Sequence, residues 1–393
     1  MSQKKILMLG GSNAQVPAIK YAKAAGHHVI TCDFLPDNPG HVYADEYYNI
    51  STINKEEVLT LAEKLEIDGI VAYASDPSAP TAAFVSEKLG LPGASYDSVK
   101  TLAEKDLFRT FLQKHHFNCP KFISVETLDY LKEYEELNYP CFVKPVDSSG
   151  SKGITKVNSP KGIKEALEIA FSYSRVNRAI IEEYIDSPYN QLHGDGFVYN
   201  GELGFLGICD QYFKNNVPLF SKYPSSIGEE LIEKVTTEIS RLIKLVNYKN
   251  GAINVEVRVG DNQKIYILEI GPRSGGNYIP QLMQNSTGFN EIEAIIETAV
   301  GNHLDFTFNK KKEYCLQYII GANESGDFAG LSISDFLKER IRQLYIHKKI
   351  GEHIDSYENS SNVLGVAIAN FKNDEELLDV AKNIHSHIKV NVN

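Results

Sequence analysis

The stretch that most constrains this chain is residues 254–277, NVEVRVGDNQKIYILEIGPRSGGN. It predicts two strands joined by a Gly260-Asp261-Asn262 turn. In the first strand Val255, Val257 and Val259 share one face, and Glu256 and Arg258 the other. The second is apolar on both faces, so that Glu269 is expected beside Ile267, with Leu268 and Ile270 pointing the other way. A carboxylate in so apolar a strand is costly unless a positive charge meets it. If the strands pair, a cation held between Glu269 and Glu256 meets that need. Gly271-Pro272-Arg273 and Ser274-Gly275-Gly276-Asn277 follow directly, a loop able to expose backbone N–H groups to an anion. Acid, acid, arginine and glycine loop together point to Mg²⁺ beside a transferring phosphoryl group. The competing reading is a surface hairpin whose two acids face water.

With 393 residues the chain has room for two or three domains, each with its own core. A formal charge of -11 and the absence of any dense basic tract argue against a nucleic-acid partner. Cys32, Cys119, Cys141, Cys209 and Cys315 are scattered, odd in number and without metal-ligand spacing, which favours a reducing, cytoplasmic compartment. The opening KKILMLGG carries no signal-peptide architecture, and no apolar run approaches bilayer-spanning length, so no membrane partner is expected.

Residues 5–9 form an apolar run ending in Gly10-Gly11-Ser12-Asn13, followed by a helical pattern closed by Gly26 and a strand at 28–32 ending at Asp33. That order opens a Rossmann-like unit. GGSNAQ lacks the G-x-G-x-x-G spacing, so NAD binding is disfavoured and a structural glycine turn preferred. A second βα repeat runs through a helix at 56–65 and a strand at 69–74. Asp76 then stands at a strand's C-terminal end, where α/β sheets collect ligands, or simply turns the chain into the helix at 81–89.

Beyond residue 98 the texture changes. One helix is expected over 99–115 with Lys105 inside it, and a short strand over 141–145 ends in Lys144-Pro145. Asp147-Ser148-Ser149-Gly150-Ser151-Lys152-Gly153 is a small-residue loop able to close over phosphates, or else a plain hairpin tip. It is not a P-loop, because no G-x-x-x-x-G-K-[ST] occurs and a strand at 154–157 follows. After a helix at 161–174, a strand over 179–185 runs through Glu182, Glu183, Tyr184 and Ile185 into a polar hinge. A hairpin about Asn200-Gly201, a helix at 229–247 and a helix at 291–300 come next. The tail offers strands at 314–320, 342–347 and 363–369 and a final helix at 375–387. His193, His303, His347, His385 and His387 lack metal spacing and read as structural or surface residues.

Taken in order, these motifs resemble the ATP-grasp superfamily, nearest the branch of biotin carboxylase, glycinamide ribonucleotide synthetase and the carbamoyl-phosphate synthetase large subunit. The resemblance rests on the helix with Lys105, the strand-end VKP, the glycine loop, EEYI and VEV…LEIGPR. It implies a mixed α/β and α+β fold. The expected parts are a Rossmann-like pre-ATP-grasp domain (1–97), an ATP-grasp domain (98–311) with a mobile lid at about 115–185, and a small α+β C-terminal domain (312–393). It further implies that Lys105 and Lys144 contact ATP phosphates and that Ser149, Gly150, Ser151 and Gly153 belong to the flap over them. Glu182, Glu183, Tyr184 and Ile185 would form the adenine hinge, with the backbone of Glu183 and Ile185 reading the base. Glu256 and Glu269 would hold Mg²⁺, with Mn²⁺ as a substitute, and Arg273 the acyl-phosphate or substrate carboxylate. Two departures stand out. The family commonly has a metal-contacting Asn where Gly271 stands, and an acid after the hinge where this chain has Tyr189-Asn190-Gln191, leaving Asn190 or Gln191 to meet a ribose hydroxyl.

The activity implied is ADP-forming ligation: a carboxylate is phosphorylated to an acyl-phosphate and an amine attacks it. Lys144 and Arg273 are the catalytic candidates, with small-molecule carboxylate and amine as partners and a homodimer as the habit of such relatives. A bicarbonate-activating carboxylase and a non-catalytic nucleotide-binding protein are the alternatives.

Overall fold

The computed structural model describes residues 3–129, 132–150, 152–214, 217–306, 308 and 312–393. The chain opens with β1 (Lys5–Leu9), β2 (His28–Cys32), β3 (Glu46–Tyr48) and β4 (Gly69–Val71), a parallel sheet in the order β3-β2-β1-β4. Ile6, Leu7, Met8 and Leu9 are buried to the last atom, as a parallel strand covered on both faces requires. The expected strand at 69–74 stops at Val71. The chain leaves the sheet there, Ala74 adopts φ +50, and a 3₁₀ turn (Asp76–Ser78) leads into helix Ala79–Leu89.

The single helix expected over 99–115 is two, Tyr96–Ala103 and Lys105–Lys114. Glu104 between them is extended at φ -93, ψ 117. The break has partners on both sides: the Lys105 N–H donates to the Val146 carbonyl at 3.1 Å, and Arg178 binds the Glu104 carboxylate. Lys105 therefore opens the second helix instead of lying within the first.

A second sheet, order β5-β8-β6-β7, comprises β5 (Phe122–Val125), β6 (Cys141–Pro145), β7 (Thr155–Val157) and β8 (Ala179–Glu183). Helix Ile163–Tyr173 packs Ile163, Ala166, Leu167 and Ala170 against Val143, Val157 and Ile181. This sheet carries Lys144 at the end of β6 and Glu182 on β8.

The largest sheet uses β9 (Gln191–Tyr199), β10 (Glu202–Lys214), β11 (Val217–Tyr223), β12 (Gly251–Val259), β13 (Ile265–Gly271) and β14 (Tyr314–Ile320). The tail adds β15 (Gly326–Ile333), β16 (Ile341–Ile346), β17 (His353–Ile354), β18 (Gly365–Phe371) and β19 (Ile388–Val392). Its order is β13-β12-β9-β10-β11-β14-β18-β16, while β15 pairs with β17 and β19 in a small separate sheet. Asn200 and Gly201 take φ +53 and +79, the left-handed pair that a two-residue β9–β10 turn demands. Helix Glu229–Val246 lays Leu231, Val235, Ile239, Leu242 and Ile243 on one face of this sheet, over Val255, Val257 and Ile270. The opposite face carries the polar residues of the candidate site. The final helix, expected unbroken over 375–387, is interrupted at Asn383 into Asp374–Lys382 and Ile384–His387.

Candidate active site

β12 and β13 pair with Glu256 directly opposite Glu269, but the register then slips: Val257 faces Ile267, leaving Leu268 as the extra residue of a β-bulge. This corrects the alternation expected for β13. Ile267 and Ile270 both enter the core with Val255 and Val257, and Glu269 turns to the other face beside Glu256. The bulge is held from outside, where Arg109 Nη2 donates to the Leu268 carbonyl at 2.8 Å.

Two carboxylates face each other across this ladder. Burial first, and then the Glu269 charge, push Glu256 up to about 7. Gln191 Nε2 donates to Glu256 at 3.1 Å, whereas Asn190 is exposed and bonds the Tyr212 hydroxyl. Lys105 Nζ lies 3.5 Å from Glu269 and donates at 2.8 Å to the Ser148 carbonyl, so one side chain spans from the acid pair to the glycine loop. His193 pairs with Glu256 in register on β9, is buried, and shares a 2.7 Å hydrogen bond with Ser221. Burial holds its pKa down at about 4, so it is neutral at pH 7. Among the described residues no group of three or more His, Cys, Asp or Glu could hold a metal. The facing acids Glu256 and Glu269 are a donor set that suits a divalent cation only if the ligand supplies further oxygens.

Lys144 Nζ bonds Glu182, and Arg109 Nε binds the other oxygen of that carboxylate at 2.9 Å. Burial works to raise the Glu182 pKa, but Arg109 and Lys144 outweigh it and hold it at about 2. The Glu182 side chain thus serves the two cations. In the hinge, the Glu183 N–H donates to the Lys121 carbonyl at 3.0 Å, while its carboxylate takes the Asn138 N–H and side-chain amide. The Tyr184 N–H donates to the Pro140 carbonyl, and Arg258 donates to the Tyr184 hydroxyl at 3.0 Å and to the Ile185 carbonyl at 3.3 Å. At the other end of the loop Asp147 receives Ser174 Oγ at 2.9 Å and the Arg175 N–H at 3.1 Å, anchoring the flank of Ser148, Ser149 and Gly150. Gly150 and Gly153 sit at φ +67 and +72; Ser151 lies outside the described residues.

Arg273 reaches across 197 positions to Asp76 through two 2.7 Å bonds, Nε to Oδ1 and Nη2 to Oδ2, with Nη1 on the Ser274 carbonyl at 2.9 Å. Burial opposes charge on Asp76, yet Arg273 keeps its carboxyl below the usual range. The loop after Arg273 is braced from beneath, where fully buried Asp195 accepts the Gly275 N–H at 2.9 Å and Asn254 Nδ2 at 2.8 Å. A cavity of about 280 Å³ borders the site, lined by Asp76, Lys105, Ser148, Ser149, Glu269 and Gly271 among others.

The fold therefore brings Lys105, Ser148, Ser149, Glu256, Glu269 and Arg273 to one end of the largest sheet, with Lys144 and Glu182 on β6 and β8 of the second sheet. Sequence reasoning missed Arg109 and Asp195. Arg109 sits among Phe108 and Leu112 on a helix face that buries it, and a charge on an apolar face was its one available signal.

Residues 137–281 match the ATP-grasp domain family. The chain is 26% identical over 260 residues to the carbamoyl phosphate synthase large chain of Thermoanaerobacter pseudethanolicus, a match covering 64% of this chain. It spans about a quarter of that relative's length, 24%. The fold superposes on an L-amino acid ligase from Bacillus licheniformis with a TM-score of 0.84 at 20% identity, covering 100% of both chains. It also superposes on the biotin carboxylase domain of 2-oxoglutarate carboxylase from Hydrogenobacter thermophilus, in complex with MgADP and bicarbonate, with a TM-score of 0.79 at 17% identity over 100% of this chain and 91% of that one. The match to the ATP-grasp domain family covers 137–281, and over its full length the chain shares the fold of these solved structures. Among the described residues no helix is long and apolar enough to cross a membrane.

Proposed function

We propose that this ATP-grasp chain is an ADP-forming ligase that phosphorylates a small carboxylate and passes the acyl group to an amine. The observation that carries the reading is the Lys105 bridge: one ammonium group touches both the glycine loop at Ser148 and the acid pair at Glu269. A phosphate chain laid along that line meets Lys105 and Lys144, the loop N–H groups of residues 148–150 and 153, and Arg273. Phosphoryl transfer asks chiefly for such positioning and charge neutralisation. Mg²⁺, or Mn²⁺ in its place, would be held by Glu256 and Glu269 and would offset the charge of the phosphate oxygens. Closure of the segment around Ser148, Ser149 and Gly150 over the reacting group would keep water from the acyl-phosphate. With the Glu183 N–H already donated to Lys121, the carbonyl of Glu183 and the N–H of Ile185 are the backbone groups we assign to the adenine edge. Gln191, aimed at Glu256, joins Asn190 as a candidate for the ribose.

We retain 1–97, 98–311 and 312–393 as the working division, noting that β14, β18 and β16 continue the sheet of the middle segment. The cysteine pattern supports a cytoplasmic protein. The test is ADP release with Mg²⁺ and ATP against a panel of amino acids, other carboxylic acids and bicarbonate, with Glu269→Ala as control. Release requiring a carboxylate and an amine, and lost in the variant, establishes the ligase. Bicarbonate-dependent release favours the carboxylase, and ATP binding with no release across a broad panel favours a nucleotide-binding protein without catalysis.

A further inference from the structure

Gly271 stands where a side chain would press on an ion pair. A Cβ built there lies 3.1 Å from Arg273 Cζ, 3.1 Å from Asp76 Oδ1 and 3.3 Å from Arg273 Nε. The volume that a larger residue would fill holds the Arg273–Asp76 contact instead. Asp76 belongs to the turn after β4, and Arg273 follows β13, so the pair ties the first sheet to the end of the largest one. The side chains are only 10% and 25% exposed, which strengthens the bond and excludes casual rearrangement.

The way the guanidinium is shared is specific. A guanidinium has five N–H donors in a fixed planar fork. Asp76 takes the lateral edge, Nε and Nη2, and the Ser274 carbonyl takes one hydrogen of Nη1. One hydrogen on each of the terminal nitrogens Nη1 and Nη2 is left, two donors that suit two oxygens of one phosphoryl or carboxylate group.

We propose that Asp76 is a positioning residue that locks Arg273 so that its terminal fork grips the transferring phosphoryl group, and that Gly271 is the space this lock requires. The inference rests on the ligase reading above and assigns it a part that neither Gly271 nor Asp76 had: the glycine makes room for a fixed arginine, and the acid selects which edge of that arginine a ligand meets. Asp76 itself touches no reacting atom.

The experiment is calorimetric titration of the full chain with MgADP, alone and with aluminium fluoride as the phosphoryl mimic. Asp76→Asn, which keeps the shape and removes the charge, is expected to weaken the fluoride complex by at least about tenfold, the scale of a bidentate charged hydrogen bond. MgADP affinity should fall by clearly less than that, since Asp76 touches the loop over the nucleotide only through Ser149, whereas its main partner is Arg273. Gly271→Ala should weaken the fluoride complex in the wild-type background and add nothing in Asp76→Asn, because the two changes disturb one contact. Asp76→Ser is the second variant, and equal loss of MgADP and fluoride affinity in both would overturn the proposal by revealing general collapse. An unchanged fluoride complex in Asp76→Asn, or additive losses with Gly271→Ala, would overturn it while leaving the ligase intact. Failure of the wild-type chain to bind MgADP would bring down the ligase reading and this inference together.

Discussion

Replacing Glu182 by Gln tests the electrostatic centre of the site. Glu182 is buried between Arg109 and Lys144, with side-chain exposures of 4%, 1% and 17%. Its pKa is lowered from 4.5 to about 2 against a burial cost that pushes the other way. A shift of that size corresponds to roughly 3 kcal/mol at about 1.4 kcal/mol per unit. Removing one member of a buried pair independently costs about 3–5 kcal/mol, because the partners stay buried and uncompensated. The amide keeps the shape, so the loss comes from charge. The sign follows from the lowered pKa: the stabilisation is fully present above about 4.5, the unfolded value, and disappears as pH falls through about 2. Native-state hydrogen exchange of the β6 and β8 amides at pH 7 reads the opening free energy of that sheet. Glu182→Gln should open it more easily by about 3 kcal/mol, with the difference from wild type shrinking at acid pH. A difference below about 1 kcal/mol at pH 7 would refute the reasoning, since the cations would then have been neutralised by water or by each other's neighbours.

Three further outcomes follow from the same geometry. Glu256, raised to about 7 by burial and then by Glu269, should be largely protonated at pH 6 without metal, so Mg²⁺ binding at that pH should release close to one proton. Titrations in buffers of different ionisation heat measure this, and Glu256→Gln should abolish the release. Glu291 is fully buried beside Asp195, and burial and then the Asp195 charge raise its pKa well above the ordinary value. A raised carboxyl confers stability below its unfolded pKa and loses it as pH rises, so Glu291→Gln should flatten the fall in melting temperature on the alkaline side. Finally, a Cβ at Gly194 would lie 1.8 Å from the Gly207 carbonyl, so Gly194→Ala must part β9 from β10 beneath the site. It should cost about 1–3 kcal/mol or more, read as a lower melting temperature.

Much of this protein was legible in its sequence because local periodicity is a local property. Alternating valines in 255–259, the Asn200-Gly201 turn and the helix at 229–247 follow from side-chain spacing and permitted backbone angles, and the structure forms each of them. The order of lysines, glycine loop and acids likewise stood in the chain itself, and Glu256 does face Glu269. What the pattern could not carry was the bulge at Leu268, since a one-residue slip is invisible until a partner strand and Arg109 fix the register. Nor could it show that Glu104 breaks a helix, because propensity favours continuing it and only Val146 and Arg178 supply the competing bonds. The need of a buried charge for a partner can be read from burial; the partner's identity cannot. Arg109 with Glu182, Arg273 with Asp76 and Asp195 with the Gly275 N–H are separated by 73, 197 and 80 positions, and only the packing of three sheets selects them. The sequence determined which chemistry was present. The tertiary structure decided which acid each arginine serves, because a desolvated charge is satisfied by whatever group the fold brings within bonding distance.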